Sequence, residues 1–349
     1  MDVAEAKSLL QELNKERRRV DVSTADLTVR EVVRMVGDGE LNAAPVYQRK
    51  FRWSEKDESR LIESLLLGLP VPSVFVASNE DFSLEIVDGL QRVSTLVHFL
   101  GEDEADLERI GKSSPLKLQG LEKLGELEGA RFGDLPEEIQ RYFARLPLRI
   151  TTLTDKSDPE IRFQLFERLN RGALALSAQE VRTVVYRGPL IDLVKDLAAE
   201  QTFRNLVKLE ARAEEDGTRE ELVLKFFAYL DWYDRYDGRV TDFLNEYAEE
   251  NRDISNVEER RDLFREVVGS IAKAAGTPFL RRGYHSTPLN QLEAVLVAAG
   301  RLLGEGKDLK EEAKDLRSDK KLRDASRAGT NTIPSFRRRI KRAEELFEA

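Results

Sequence analysis

At 349 residues, with 41% hydrophobic and 35% charged residues, the chain has the composition of a globular protein long enough for two domains. It has no cysteine and only two histidines, His98 and His285, which argues against disulfide scaffolds, thiolate nucleophiles, cysteine metal sites and histidine-rich or His-Asn-His hydrolases. The net charge of −9 speaks against a protein that coats nucleic acid over its whole surface, and leaves room for a local basic groove.

Residues 9–20 carry a helical pattern with one charged face. Ser23-Thr24-Ala25-Asp26 leads into a short helix over 29–38 with a Ser or Thr cap. Residues 45–53 are extended, with polar and aromatic side chains interleaved. Ser54 caps a helix to Leu67, with Asp57 three residues on and Leu61, Ile62, Leu65 and Leu66 as its apolar face. Pro70 and Pro72 end it. Residues 74–77 and 84–87 are strands around an Asn79-Glu80-Asp81 turn. Asp88-Gly89-Leu90-Gln91-Arg92 then opens a helix to Leu100. Residues 101–133 read as a surface insertion, 136–143 as a short helix and 148–153 as a strand. Beyond Asp158 the pattern predicts helices only, over 159–170, 178–185, 190–199, 219–236, 240–249, 257–274, 289–303 and 335–347. The fold class is therefore an α+β N-terminal domain, 1–186, followed by an all-α domain, 187–349. No apolar run reaches bilayer length and no secretory leader is recognisable at the N-terminus, so a cytoplasmic protein with no membrane partner is expected.

Three segments put polar residues where a core pattern would not. They are Tyr47-Gln48-Arg49 with Arg52 and Trp53; Asp88-Gly89-Leu90-Gln91-Arg92; and Phe166 to Gly172 continuing into Ser177 to Arg182. Each has a plain structural reading. The first is an edge strand, the second a strand–helix turn, the third a helix with a glycine end followed by a Ser177–Glu180 capping box. Each also has a functional reading. A strand entering a helix through a glycine turn aims backbone N–H groups at one spot, which favours anions. An arginine adds a forked cation suited to phosphate, and Asp88 could hold a metal or orient a nucleophile. Elsewhere His98 reads as a core or boundary residue. His285 sits in Arg281-Arg282-Gly283-Tyr284-His285, a loop able to touch phosphate. Phe226, Phe227, Tyr229, Trp232, Tyr233 and Tyr236 read as helix packing, and Arg337, Arg338, Arg339, Lys341 and Arg342 as a solvated basic face.

In their order and spacing the three segments resemble Domain of Unknown Function family 262, the domain that opens GmrSD-type restriction endonucleases. The resembled motifs appear here as Pro45 to Trp53, Asp88 to Arg92 and Phe166 to Glu180, within roughly residues 20–185. The resemblance implies a ParB/sulfiredoxin-like fold that binds a nucleoside triphosphate with Mg²⁺ in bacterial defence against phage or modified DNA. By it, Asp88, Gln91 and Arg92 are the catalytic set, with Asp88 on the metal. Tyr47, Gln48, Arg49, Gly89, Arg168, Asn170 and Gln179 bind the nucleotide. Nucleotide and DNA are the implied partners, with a partner nuclease and homo-oligomers left open. Leu90 stands where the motif has a glutamine, and Gly172-Ala173-Leu174 departs from its usual glycine pair. Three functions follow: an NTPase, a metal-dependent nuclease taking a second carboxylate from Glu85 or Glu167, and a non-catalytic nucleotide sensor or DNA-binding module.

Overall fold

The computed structural model describes residues 21–348 except 43–50, 52, 80, 102, 155, 170–176, 212, 215, 308, 310–314 and 328, together with Glu5, Leu9, Leu10 and Leu13. The helix expected over 9–20 lies largely outside the described residues, as does the extended stretch up to Lys50. The chain divides into two compact units, Met1–Leu176 and Ser177–Ala349.

The first unit runs β1 (Val22–Thr28), α1 (Val29–Gly37), β2 (Leu41–Asn42), α2 (Glu55–Leu66), β3 (Val74–Ser78), β4 (Leu84–Asp88), α3 (Leu90–Leu100), α4 (Glu104–Arg109), α5 (Glu137–Ala144), β5 (Pro147–Leu153) and α6 (Pro159–Leu169). Its sheet is mixed, in the order β1-β5-β3-β4-β2. β1 pairs antiparallel with β5 and β3 with β4, while β3–β5 and β2–β4 are parallel. Successive side chains alternate between the faces. Val74, Ile86, Leu148 and Ile150 join the apolar cluster that also holds Val29 and Val32 of α1 and Val93 and Leu96 of α3. On the other face Phe75, Val87, Thr151 and Leu153 enclose a small apolar hollow with Leu165 and Phe166 of α6.

The expected Ser54 cap forms, its hydroxyl accepting from the Asp57 N–H at 3.2 Å, while α1 is capped by Thr28 rather than by Ser23 or Thr24, its hydroxyl accepting from the Glu31 N–H at 3.2 Å. Two expectations need correction. Ser23-Thr24-Ala25-Asp26 is not a lead-in to a helix but the body of strand β1, exposed along almost its whole length. It is held by register and by a two-pronged pair from Arg149 to Asp26, at 2.9 and 3.0 Å. Residues 101–133 are also more than a surface insertion, since Leu107, Ile110, Leu116, Leu118 and Phe132 complete the core.

Glu63 of α2 fastens that segment. Its carboxylate accepts from the backbone N–H groups of Glu122, Lys123 and Leu124, the last two at 2.7 and 2.8 Å. Burial opposes its ionisation, but these donors outweigh burial and hold the carboxyl below its usual range. A folded-state value below the unfolded one stabilises the protein above about pH 4.5, and the contribution disappears as pH falls through the folded value. Glu63→Gln is therefore expected to lower stability at pH 7 by about 1.5–3 kcal/mol and to flatten the acid limb of the stability profile. Denaturant midpoints at pH 7 and pH 3.5 check this; an equal loss at both would contradict it.

The second unit is helical among its described residues: α7 (Ala178–Val185), α8 (Pro189–Ala199), α9 (Gln201–Leu206), α10 (Thr218–Asp231), α11 (Val240–Glu250), α12 (Val257–Ala275), α13 (Leu289–Gly304), α14 (Asp315–Ser318), α15 (Lys320–Ala325) and α16 (Ile333–Glu348). The short α9, α14 and α15 were not predicted. The single helix expected over 219–236 stops at Asp231, followed by a separate helical turn at Tyr233–Arg235. The division falls before α7 rather than near 186, because α7 packs on α10 and α11. The aromatic residues of α10 pack inside, as expected, with Phe226, Phe227 and Tyr229 buried. Arg339 departs from the solvated face: it is buried, and its Nη2 lies 2.5 Å from Glu293 Oε1. No described helix is long and apolar enough to cross a membrane.

Candidate functional site

β4 ends at Asp88, the chain turns at Gly89, and α3 starts at Leu90. Gly89 has φ 104°, in the left-handed region. A Cβ there would lie 3.0 Å from Val74 Cγ2 and 3.1 Å from Arg92 Nη2. Val74 is fully buried and cannot yield. Gly89→Ala is expected to cost about 2 kcal/mol from backbone strain and overpacking, read as a shift in denaturant midpoint. A change under about 0.5 kcal/mol, the size of an ordinary surface substitution, would show that the turn relaxes freely.

The turn sorts its polar side chains by direction. Arg92 is held at both ends of its fork: Nη2 donates to Asp88 Oδ2 and Nη1 to the Pro72 carbonyl, each at 2.6 Å. Its side chain is largely covered, while that of Asp88 is 41% exposed. Gln91 Oε1 accepts from the Trp53 backbone N–H at 3.0 Å. Leu90 packs against the apolar cluster of the first unit. The position that departs from the resembled motif thus faces the core, while Asp88, Gln91 and Arg92 make the polar contacts.

Behind the turn α3 is pinned to α2. His98 Nδ1 lies 2.6 Å from Glu58 Oε2, and Nε2 donates to the Ser114 carbonyl at 2.9 Å. Lys112 Nζ is 3.3 Å from Glu58 Oε1 and 4.8 Å from the centre of the Phe51 ring, which also meets His98 edge-on. His98 is therefore a core residue, as its place on the apolar face of the helix implies. These contacts hold Phe51 against α3, and the Gln91 bond does the same for Trp53.

The other expected site residues divide. Tyr47, Gln48, Arg49 and Asn170 lie outside the described residues, as does the side chain of Glu167. Arg168 is exposed at the end of α6, the helix whose Phe166 packs beside Val87 of β4. Gln179 belongs to the second unit. It is buried there, and its Oε1 accepts from Arg182 Nη1 at 2.9 Å. The expected Ser177–Glu180 capping box forms. Glu85 is buried in β4. Sequence reading overlooked the Pro72 carbonyl and the Trp53 N–H, since backbone groups carry no residue signature.

Among the described residues no group of three or more Asp, Glu or His side chains could hold a metal ion. Asp88 is one carboxylate, already bonded to Arg92. That donor set fits a Mg²⁺ arriving on a nucleotide, with phosphate oxygens and water completing its shell, better than a resident ion in an all-protein cage.

Residues 30–186 match the family model of the GmrSD restriction endonuclease N-terminal domain. This segment is a GmrSD N-terminal-like domain. It begins in α1, contains the whole β4–Gly89–α3 turn, and ends at Tyr186, just past α7. Its family points to a component of a restriction-type phage-defence system. No curated protein and no solved structure matches the chain significantly.

Proposed function

We propose that the GmrSD-like domain, on a ParB/sulfiredoxin-like fold, binds a nucleoside triphosphate at the β4–Gly89–α3 turn and hydrolyses it with Mg²⁺. Hydrolysis gates action on DNA, directly or through a partner nuclease, in the bacterial cytoplasm. The observation that carries the reading is the Arg92 fork, held between Asp88 and the Pro72 carbonyl at the head of a helix. Phosphoryl transfer asks for positioning and charge stabilisation, which an arginine, backbone N–H groups and one carboxylate supply without His or Cys. Asp88 offsets the charge of Arg92. The extra positive charge for a triphosphate is assigned to Arg49 and Arg168, with Tyr47, Gln48 and Asn170 as further contacts; Gln179, buried in the second unit against Arg182, is left out of the site. Bound Mg²⁺ would neutralise phosphate oxygens, with Asp88 as its protein ligand. Leu90 on the core side supports turnover, since the departure from the motif leaves the polar face intact.

The test is a panel of nucleoside triphosphates with Mg²⁺, with and without DNA, for the wild type and for Asp88→Ala and Arg92→Ala. Turnover that both variants retain would remove the site. One other reading has an observation in its favour. Asp88 and Arg92 engage each other, which suits a sensor that binds nucleotide without turning it over; tight binding with no product selects it. Plasmid nicking that needs Asp88 but no nucleotide would select the nuclease reading instead.

A further inference from the structure

Most buried or half-buried cations of the second unit are matched by carboxylates, among them Arg219 by Glu214, Arg260 by Asp231, Arg301 by Glu344 and Arg342 by Asp319. One surface hollow of about 580 Å³ is different. Arg281, Arg282, Arg317, Arg323 and Arg327 line it with Tyr284, and none of its lining residues is acidic. Among the described residues Arg282, Arg317 and Arg327 form no ion pair, and Arg323 approaches a carboxylate only at 3.7 Å, the exposed Asp324 next to it in the chain. In a chain of net charge −9 this is a local concentration of positive charge with little matching acid among the described residues.

The hollow is built. Arg281 Nε donates at 2.7 Å to Oε1 of the fully buried Gln291, whose Nε2 donates to the Leu316 carbonyl. A neutral amide thus orients the guanidinium without cancelling its charge. Gly283, at φ 83°, closes a tight turn in which the Tyr284 N–H bonds the Arg281 carbonyl, with Arg282 exposed at the tip. The Tyr284 ring lies 5.8 Å from the Arg281 guanidinium and is half exposed. Partial burial lowers the Arg281 pKa, and the positive charges of Arg323 and Arg327 add to that lowering although Tyr284 opposes it. Like charges held together in this way are relieved by an anion.

We propose that this hollow is a contact site for the phosphodiester backbone of duplex DNA. Several forked cations spread over two chain segments exceed what one phosphate group needs, and match a run of phosphates. The exposed tyrosine offers a face for sugar or base. The contact reads backbone, not sequence. The choice of DNA as the polyanion rests on the restriction-type reading of the first unit; the site itself does not.

The test is fluorescence anisotropy of a labelled duplex against salt, with the full chain and the triple variant Arg282→Ala/Arg317→Ala/Arg327→Ala. Arg281 is kept because Gln291 anchors it. The variant is expected to bind at least roughly tenfold more weakly and to lose about 0.9 from the log–log salt slope for each phosphate contact removed. Its melting temperature and its DNA-independent nucleotide turnover stay unchanged. Duplex binding with an unaltered slope overturns the site and leaves the DNA reading intact. A wild type that binds no duplex overturns both. Displacement of the duplex by equimolar ATP, lost in the triple variant but kept in Asp88→Ala, would reassign the hollow to free nucleotide.

Discussion

Arg182→Ala is expected to reduce the stability of the helical unit by about 3–5 kcal/mol, a large share of what holds a domain folded. The guanidinium is almost wholly buried, with Nε donating to Asn245 at 2.9 Å and Nη1 to Gln179 and Glu221 at 2.9 and 3.2 Å. The chain of charge continues from Glu221 to Lys225 at 3.0 Å, from Lys225 to Glu293 at 3.5 Å, and from Glu293 to Arg339. It links α7, α10, α13 and α16, with α11 attached through Asn245. Burial pushes the Arg182 guanidinium below its usual pKa even with Glu221 beside it. Glu221 is nonetheless held below the carboxylate range, because Lys225 and Arg182 outweigh its own burial. Removing Arg182 leaves a cavity, two amides short of a partner and a carboxylate with one cation fewer. Urea unfolding followed by Trp232 fluorescence, in a Trp53→Phe background, isolates this unit. Arg182→Met with Glu221→Gln should recover part of the loss, since it removes both charges. A single-variant loss below 1 kcal/mol would show that the network is not coupled.

Arg92→Ala is expected to lower nucleotide turnover at least about a hundredfold, the scale of removing one donor that meets transition-state charge. Its effect on stability should stay near 1 kcal/mol, because its ion-pair partner Asp88 is substantially exposed. That contrast separates a catalytic role from a merely structural one. Arg92→Lys should fail as well, since a single ammonium cannot span Asp88 and the Pro72 carbonyl at once. Asp88→Ala should weaken turnover more than nucleotide affinity. Turnover lost only in step with folding would assign the pair to the corner alone.

Local features were legible. The caps at Ser54 and Ser177, the β3–β4 hairpin, the glycine turn and most long helices announce themselves through residue types at fixed spacing. β1 did not, because an exposed edge strand has no apolar alternation and is defined by its pairing to β5. The contribution of residues 101–133 to the core was likewise hidden, its apolar residues being scattered without period. At the site, sequence singled out Asp88, Gln91 and Arg92, but not what each touches.

What the sequence alone determined is the order of the longer helices and of the β3–β4 hairpin, the α+β-then-helical organisation and the resemblance of residues 30–186 to the GmrSD N-terminal domain, since these rest on periodicity and motif spacing. Tertiary structure decided the rest. Leu90 was directed to the core, Arg92 to Pro72 and Asp88, Gln179 and Arg182 into the helical unit, and five arginines around one hollow. The physical reason is that direction and partner depend on residues far away in the chain. A polar side chain in a motif looks the same in sequence whether it meets a ligand, a buried carboxylate or a backbone carbonyl.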